Sequence, residues 1–426
     1  MQHLGDITKI SGYHAPVVDC IIGGSPCQEL SVAGKRVGLA GERSGLFMEQ
    51  IRIVKEMRQR ERDIGRTGKS VRPRYMVWEN VPGAFSSNQG KDFAAVLEET
   101  IRITEPEAPD IPVPEKGWPT SGCIMGEGWS VAWRVLDAQF WGVPQRRRRI
   151  ALVADFGGQS APEILFVRKG MSGDFEESGD KRQETAGDAG EGFAGSSFAI
   201  QGSMIGRADK NGPQGDGVNE DVSFTLNTID RHAVCYKSDE LVLFEPRSQD
   251  GVPRIHGDIS PTLNTAQGGQ RQPCVAGYID TTHADDVVRM DDVTAPLQAR
   301  DYKGEKLVLR HIVRRLTPLE CERLQGFPDG WTDIGEWVDS KGKKHKEADS
   351  PRYKALGNSI ALPPWKWVLK RICAQYERDA TMASLFDGIG GFPLIWEQLN
   401  GKGSCLWASE IEEFPIAVTK LRFGGD

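Results

Sequence analysis

No stretch of about 18 consecutive apolar residues occurs in the 426-residue chain, so no transmembrane helix is expected. The opening MQHLGDITKI lacks the basic and then apolar regions of a secretory signal. Cysteine is sparse. The 8 cysteines stand at positions 20, 27, 123, 235, 274, 321, 373 and 405, and none forms a CxxC pair. That spacing argues against a zinc ribbon or a disulfide framework and fits a reducing compartment. Positive charge is not in excess either: 53 Lys and Arg face 60 Asp and Glu, a net charge of −7. A nucleic-acid role therefore has to rest on local basic patches. What is present is enough to fold. Hydrophobic residues make up 38% and charged residues 27%, with 11 Trp and 16 Phe. This excludes wholesale disorder, and the length predicts two or three domains.

Residues 1–155 alternate strand-like and helix-like segments. Val17–Ile22, Tyr75–Trp78, Val131–Leu136 and Ile150–Val153 read as short strands. Arg43–Arg60 carries helical spacing through Leu46, Phe47, Ile51, Ile53, Val54 and Met57. Short strands separated by helices predict an α/β domain with a largely parallel sheet. Residues 169–197 are acidic and rich in Gly and Ser, and read as a flexible insertion. A weak repeat follows: DVSFTLNT from Asp221, DISPTLNT from Asp258 and DVTAPLQA from Asp292. Three such units predict a small β-rich domain with presented loops. From Thr317 helical pattern returns, with Pro318 at a first helical position and Gly326 as a stop. Ser340–Ser350 reads as a Lys-rich surface loop, Pro363–Arg378 as a helix, and residues 381–426 as strand, Gly-rich turn, helix, strand and helix.

Four motifs carry chemistry. In Ser384–Phe392, SLFDGIGGF, a strand end runs into Gly388, Ile389, Gly390 and Gly391 and then a helix, which lets backbone approach a ligand. Glu410 lies 22 positions beyond Gly388, at the end of a second strand, where an acid can grip ribose hydroxyls. The full GxGxxG is missing, so a nucleoside cofactor other than a dinucleotide is expected. In GGSPCQELS, Gly23–Ser31, Cys27 follows an apolar strand and two glycines, a setting that can expose a thiolate among backbone N–H groups. Gly34, Lys35, Arg36, Gly38, Gly41 and Arg43 then form a basic, Gly-rich loop suited to closing over a substrate.

The third motif is Trp78-Glu79-Asn80-Val81-Pro82, a carboxylate at the end of an apolar strand, where α/β folds put their chemistry. The fourth is Gln145 followed by Arg146, Arg147, Arg148 and Arg149, running directly into the IALVADF strand. Alternation along a strand puts Arg147 and Arg149 on one face. Each motif also has a plainer reading: a tight turn, a buried structural thiol, a surface acid, a solvated basic run.

Together the four resemble the DNA (cytosine-5) methyltransferase family. Arg315–Pro318, Glu322–Pro328, Gly357-Asn358-Ser359 and Gly5-Asp6-Ile7 extend the resemblance, which covers roughly residues 1–155, 311–370 and 381–426. The order departs from that family, whose Gly-rich cofactor motif precedes the Pro-Cys motif. Here it follows, which suggests a circular permutation. The resemblance implies a Rossmann-like class I S-adenosylmethionine-dependent sheet formed by residues 1–157 and 351–426. Residues 158–350 would be a smaller β-rich target-recognition domain.

It implies further that Cys27 attacks C6 of a flipped-out cytosine in a specific double-stranded DNA sequence. Glu79 would protonate N3, and Arg147 and Arg149 would orient the base. S-adenosyl-L-methionine would be the methyl donor, held by Phe386, Asp387, Gly388, Ile389, Gly390, Gly391, Glu410, Ile411, Asp6, Ile7, Pro26, Asn358 and Ser359. Gln28, Ser31, Arg43, Asn80 and Gln145 would contact the substrate. No metal and no membrane enter. A monomeric, cytoplasmic, prokaryotic or phage-encoded enzyme is expected, and a cognate restriction system is a partner to test for. Residues 160–310 hold 16 basic and 25 acidic side chains, which weighs against a base-reading domain unless the acids cluster away from the DNA. Gly268–Arg271 and Asp230-Arg231-His232 are candidate readers. A tRNA cytosine-5 methyltransferase and a catalytically silent DNA-binding regulator remain as alternatives.

Overall fold

Two apolar segments from opposite ends of the sequence pair as neighbouring strands of one sheet. Met382–Leu385 pairs in parallel with Cys20–Gly23, Met382 opposite Cys20 and Leu385 opposite Gly23. The computed structural model describes residues 1–25, 45–166 and 311–424. Between these it describes 197–200, 218–220, 222–226, 232–237, 243–245, 254–255, 274–275, 278–280, 287–289 and 306–308. Pro26, Cys27, Gln28, Ser31, Arg43 and the Gly34–Arg43 loop lie outside the described residues. So do most of the acidic 169–197 segment, Asp230, Arg231, Gly268–Arg271 and the repeats beginning at Asp258 and Asp292.

The main sheet is built from β1 (Gln2–His3), β2 (Cys20–Gly23), β3 (Tyr75–Asn80), β4 (Ser121–Gly126), β5 (Trp129–Asp137), β6 (Arg148–Asp155), β7 (Met382–Leu385) and β8 (Cys405–Ser409). Across the sheet the order is β1, β8, β7, β2, β3, β6, β5, β4. The first five strands are mutually parallel and the last three antiparallel. Every residue of β2 and β7 is buried, as expected for parallel strands covered on both faces. The edge strand β4 instead alternates exposed and half-buried positions.

Helices cover the sheet. Phe47, Ile51, Val54 and Met57 make the buried stripe of α1 (Leu46–Asp63), and Phe93, Val96 and Leu97 that of α2 (Lys91–Ile101). Both stripes join one core with Ile21, Met76, Trp78, Leu152, Leu385 and Trp407. Then follow α3 (Ala161–Leu165), α4 (Pro318–Gln325), α5 (Asp349–Asn358), α6 (Leu362–Cys373), α7 (Gly391–Asn400) and α8 (Glu413–Phe423). The helix expected over 363–378 ends at Cys373, and Gly326 (φ 79°) stops α4 as its position implies. The Lys-rich 340–350 stretch is not simply a loop. It closes a hairpin pairing Trp337–Val338 with Lys344–His345, because Asp339 Oδ1 accepts from the N–H groups of Lys341 and Lys343. None of the described helices is long and apolar enough to cross a membrane.

The chain divides into two units. The first is Met1–Thr185, Thr225–Thr228 and Pro318–Asp426; the second is Ala186–Phe224 and Ile229–Thr317. This moves a boundary. Residues 318–350, which the resemblance places in the recognition domain, group with the first unit instead. Trp331 Nε1 donates to Ile389 O (2.8 Å), and Arg422 Nε to Trp331 O (3.0 Å). The described strands of the second unit are short and antiparallel, for example Ala233–Lys237 between His311–Arg315 and Ser197–Ile200.

One buried carboxylate joins the two ends of the sequence beside β2 and β7. Asp19 accepts from Arg378 Nη1 and Nη2 (2.8 and 2.7 Å), from Thr381 N (2.8 Å) and from Thr381 Oγ1 (3.0 Å). Burial alone would raise its pKa, but the Arg378 and Thr381 bonds outweigh burial and hold it below the ordinary carboxylate value. Stability from a depressed acid is present above its unfolded pKa and lost as pH falls through the folded one. Asp19→Ala should therefore lower unfolding free energy by about 1–3 kcal/mol at pH 7, read from urea melts. The difference from wild type should shrink on acidification; a pH-independent difference would contradict the assignment.

Candidate active site

Because β1, β8, β7, β2 and β3 are parallel, their carboxyl ends open along one edge of the sheet. The antiparallel β6 delivers its first residues to that same edge, since Asn80 pairs with Ile150 and Glu79 with Ala151. Along the edge stand Gly5-Asp6 after β1, Glu410 after β8, the Phe386–Gly390 turn after β7 and Gly23–Ser25 after β2. Glu79-Asn80 at the end of β3 and Arg148-Arg149 at the start of β6 complete the row. From β7 the chain crosses to β8 on one side, whereas from β2 it crosses to β3 on the other. The gap between β7 and β2 is thus a topological switch point, where doubly wound sheets bind ligands.

The turn after β7 is shaped by its backbone. Phe386, Gly388 and Gly390 take φ of 56°, 56° and 78°. Glu410 fastens it: one carboxylate oxygen accepts from Gly388 N (2.7 Å), the other from Ile411 N and Glu412 N (2.8 and 2.9 Å). The glycines are not equivalent. A Cβ at Gly388 would meet nothing within 4 Å, whereas one at Gly390 would lie 2.6 Å from Phe423 and one at Gly391 2.9 Å from Ile360. Gly388 faces open space; Gly390 and Gly391 permit close helix packing. Ile389 is fully buried and its carbonyl accepts from Trp331, so its side chain belongs to the core rather than to a ligand. Ile411 is 70% exposed. Asp6 Oδ1 accepts from Thr8 N and Oγ1 (3.0 and 2.8 Å); the Thr8 side chain first and its N–H second hold the carboxyl below its usual pKa. Ile7 is buried beneath it, and Ser409 Oγ donating to Gly5 O (2.7 Å) ties the ends of β8 and β1.

The other half of the edge is an ion pair held over a glycine. Arg149 Nε lies 2.8 Å from Glu79 Oε1, with both side chains about 15% exposed. Glu79 Oε2 lies 2.8 Å from where a Cβ of Gly24 would be, so a larger residue there would displace this carboxylate from over the chain three residues before Cys27. Trp78 Nε1 donates to Ser25 Oγ (3.1 Å) and Asn80 Nδ2 to Ser25 O (2.9 Å), fixing that approach. Gln145 is wholly buried and its amide has no partner among the described residues.

Arg147, one residue before β6, lies within reach of the Arg149 and Glu79 charges yet is turned into the interior. It is 2% exposed and donates to Leu226 O (3.0 Å), Gly357 O (3.2 Å) and Ser359 O. Burial first and the Arg149 cation second push its pKa down, with Glu79 opposing. Its donors tie the Gly357-Asn358-Ser359 turn to the start of β6, which makes it a positioning residue. In that turn Asn358 is exposed and Ser359 buried. Sequence reasoning passed over Ser25 and over Gln50, a buried amide in the apolar stripe of α1 that donates to Val77 O (3.1 Å). A polar residue on a buried helix face was the available signal.

Comparison with known proteins follows the same residues. The profile of the family described as C-5 cytosine-specific DNA methylase matches residues 1–103 and 124–374. The chain belongs to that family. Its similarities include a protein of Escherichia phage P1 named DNA N-6-adenine-methyltransferase, 28% identical over 89% of this chain; the chain spans 57% of that protein's length. The type II methyltransferase M.HgiCI of Herpetosiphon aurantiacus is 24% identical over 90% of this chain and 88% of its own. Among solved structures, S. pombe Dnmt2 methyltransferase is 13% identical, covering 87% of this chain and 83% of its own, with a TM-score of 0.37. The family profile stops before Met382–Ser409, which supply the second and third strands of the sheet.

The two turn glycines give opposite expectations. Gly388→Ala meets only the left-handed backbone penalty, about 1–2 kcal/mol, while Gly390→Ala adds the collision with Phe423 and should cost more. Urea unfolding of both variants checks this; equal losses would mean that helix packing does not fix the turn.

Proposed function

We propose that this methylase transfers the methyl group of S-adenosylmethionine to C5 of a cytosine in duplex DNA, with Cys27 as the nucleophile. The observation that carries the reading is the Arg149–Glu79 pair lying over Gly24, at the mouth of the segment leading to Cys27 and next to the Gly-rich turn after β7. The residues present fit the cofactor. Gly388 leaves open space beside a fixed N–H, Glu410 stands at the end of the neighbouring strand, and exposed Ile411 offers an apolar face. Asp6, Phe386, Asn358, Ser359 and Pro26 complete the set that would hold it. When bound, the cofactor supplies an electrophilic methyl group.

The chain's own residues do the rest. A Cys27 thiolate adds to C6 of the ring, which makes C5 nucleophilic. Negative charge develops toward N3, where Glu79, oriented by Arg149, donates a proton. C5 takes up the methyl group; loss of the C5 proton to solvent, return of the N3 proton to Glu79 and elimination of the Cys27 thiolate then restore the aromatic ring. Attack at C6 is blocked inside a stacked duplex, so the base is flipped out at a cost of roughly a few kcal/mol. The basic Gly34–Arg43 loop would hold phosphates behind it, with Gln28, Ser31, Arg43, Asn80 and Gln145 contacting the base and its strand. The second unit would read the target sequence.

The same reading accounts for the order of the motifs. Followed from Met382 through residue 426 and on from Met1, the parallel strands run β7, β8, β1, β2, β3. Their order across the sheet is then 3-2-1-4-5, that of a doubly wound nucleotide-binding sheet. We read the chain as a circular permutation of its family's sequence.

The name of the phage P1 relative favours a second reading, methylation of adenine N6. An exocyclic amine is a nucleophile already and needs neither a thiolate nor an acid at N3, so the ion pair over Gly24 would have no task. Mass spectrometry of nucleosides from duplex DNA and from tRNA, incubated in parallel with the protein and labelled S-adenosylmethionine, separates the readings. Label in 5-methylcytosine from DNA is expected. Cys27→Ser should lose transfer while retaining duplex binding, and Glu79→Gln should lose about 100- to 10,000-fold in rate. N6-methyladenine as the product, preference for tRNA, or full turnover by Cys27→Ser would each overturn the assignment.

A further inference from the structure

The carboxyl edge of the sheet continues past the Glu79–Arg149 pair. Leu136 of β5 lies opposite Arg149, and Asp137 opposite Arg148. The neighbouring β4 reaches only to Ser121, opposite Arg134, so Leu136 and Asp137 have no β4 partner. Where β5 outruns β4 a cavity of about 510 Å³ opens, a volume within the range of small-ligand sites. Arg134, Leu136, Asp137, Phe140, Trp141 and Arg148 are in its lining. One wall is fixed by stacking. Trp141 packs on Trp367 of α6, with ring centroids 5.1 Å apart, and the guanidinium groups of Arg134 and Arg371 lie 6.0 and 4.7 Å from the Trp367 centroid. Arg134 Nη1 also donates to Leu165 O (3.0 Å). The other wall is open. Phe140 is 57% exposed, and Arg148 is exposed without an acid partner among the described residues. Asp137 does not neutralise it, because that carboxylate is engaged by Gln139 Nε2 (2.8 Å) and Arg147 N (3.2 Å). In a chain of net charge −7, this cavity presents aromatic faces and guanidinium groups.

We propose that this cavity seats a second, unstacked nucleotide of the bound DNA, its base against Phe140 and Trp141 and its phosphate on Arg148. This rests on the DNA reading above and adds a nucleotide site beside the flipped cytosine. Aromatic faces take a base of any identity, because every base has a π-face, and a guanidinium forks onto phosphate oxygens. The separation suits one strand serving both places. From β3 across β6 to β5 is two strand spacings, about 10 Å. At a rise of about 3.4 Å per nucleotide, that is about three nucleotides from the cytosine held at Glu79. The seated base leaves the duplex stack, and stacking on Phe140 and Trp141 offsets that loss.

Methyl transfer to a duplex bearing the sequence that the protein methylates, measured against DNA and salt concentration, tests this. Phe140 and Arg148 are exposed, so Phe140→Ala and Arg148→Ala should fold, and an unchanged kcat shows that they have. Phe140→Ala should raise the KM for duplex by about 5- to 100-fold. Arg148→Ala should raise it too, and should lower the slope of log KM against log salt by about one, the mark of one lost phosphate contact. Duplexes with an abasic site at successive positions around the target cytosine locate the seated base. One position should reproduce the Phe140→Ala loss, and on that duplex Phe140→Ala should lose nothing further. Unchanged KM and salt slope in both variants, or no abasic position that cancels the effect of Phe140→Ala, overturns the proposal alone. So does a free deoxynucleoside monophosphate whose binding Phe140→Ala abolishes while the duplex KM stays unchanged, since the cavity then serves a free nucleotide. If wild type methylates no DNA, the DNA reading falls and this proposal with it.

Discussion

The parallel pairing of Met382–Leu385 with Cys20–Gly23 is the contact on which the rest of the catalytic unit depends. Both strands are fully buried, so their hydrogen-bond ladder forms without competition from water, and their register is fixed by side chains on both faces. Setting Leu385 opposite Gly23 puts the glycine turn and the approach to Cys27 side by side. A slip of one residue would turn Leu385 out of the core it shares with Ile21 and Trp407. The Asp19 carboxylate, bound by Arg378 and Thr381, holds the same junction from the opposite end of the strands.

Charge is distributed unevenly along the carboxyl edge. The β1–β8–β7 half carries the carboxylates of Asp6 and Glu410, an environment suited to a cation. The β3–β6 half carries Arg147 and Arg149 against Glu79, suited to a ring on which negative charge develops. Arg147 links this half to Leu226 and Ser359 through main-chain carbonyls. The guanidinium that reads from the sequence as a base contact is thereby spent on holding backbone.

Much of this was legible beforehand. The strands at 75–80, 129–137 and 148–155, the α1 stripe and the C-terminal strand–turn–helix–strand–helix all carry strong hydrophobic periodicity or glycine punctuation, and they are found within a few residues of where those signals put them. Glu79 and Arg149 were each legible as residues at strand ends; their pairing was implied by the family resemblance and not by the strand pattern. Other features left no local trace. The antiparallel edge and the hairpin strand β4, with its Gly122 and Gly126 under Trp133 and Trp129, depend on partners distant in sequence. Nor could alternation foresee that Arg147 would be taken by main-chain carbonyls, because a two-residue period says which way a side chain points and not what waits there. The grouping of residues 318–350 with the first unit rests on contacts between positions distant in sequence, such as Trp331 to Ile389 and Ser340 to Glu413, that leave no local pattern.

The central claim is that both ends of the chain build one pocket in which Cys27 bonds to a cytosine. Duplex DNA prepared with 5-fluorocytosine in place of cytosine tests it most directly, because fluorine at C5 cannot leave as a proton and the thiol stays attached. Incubation with S-adenosylmethionine followed by peptide mass spectrometry should give a stable protein–DNA adduct located at Cys27. No adduct, or one on another cysteine, would contradict the account.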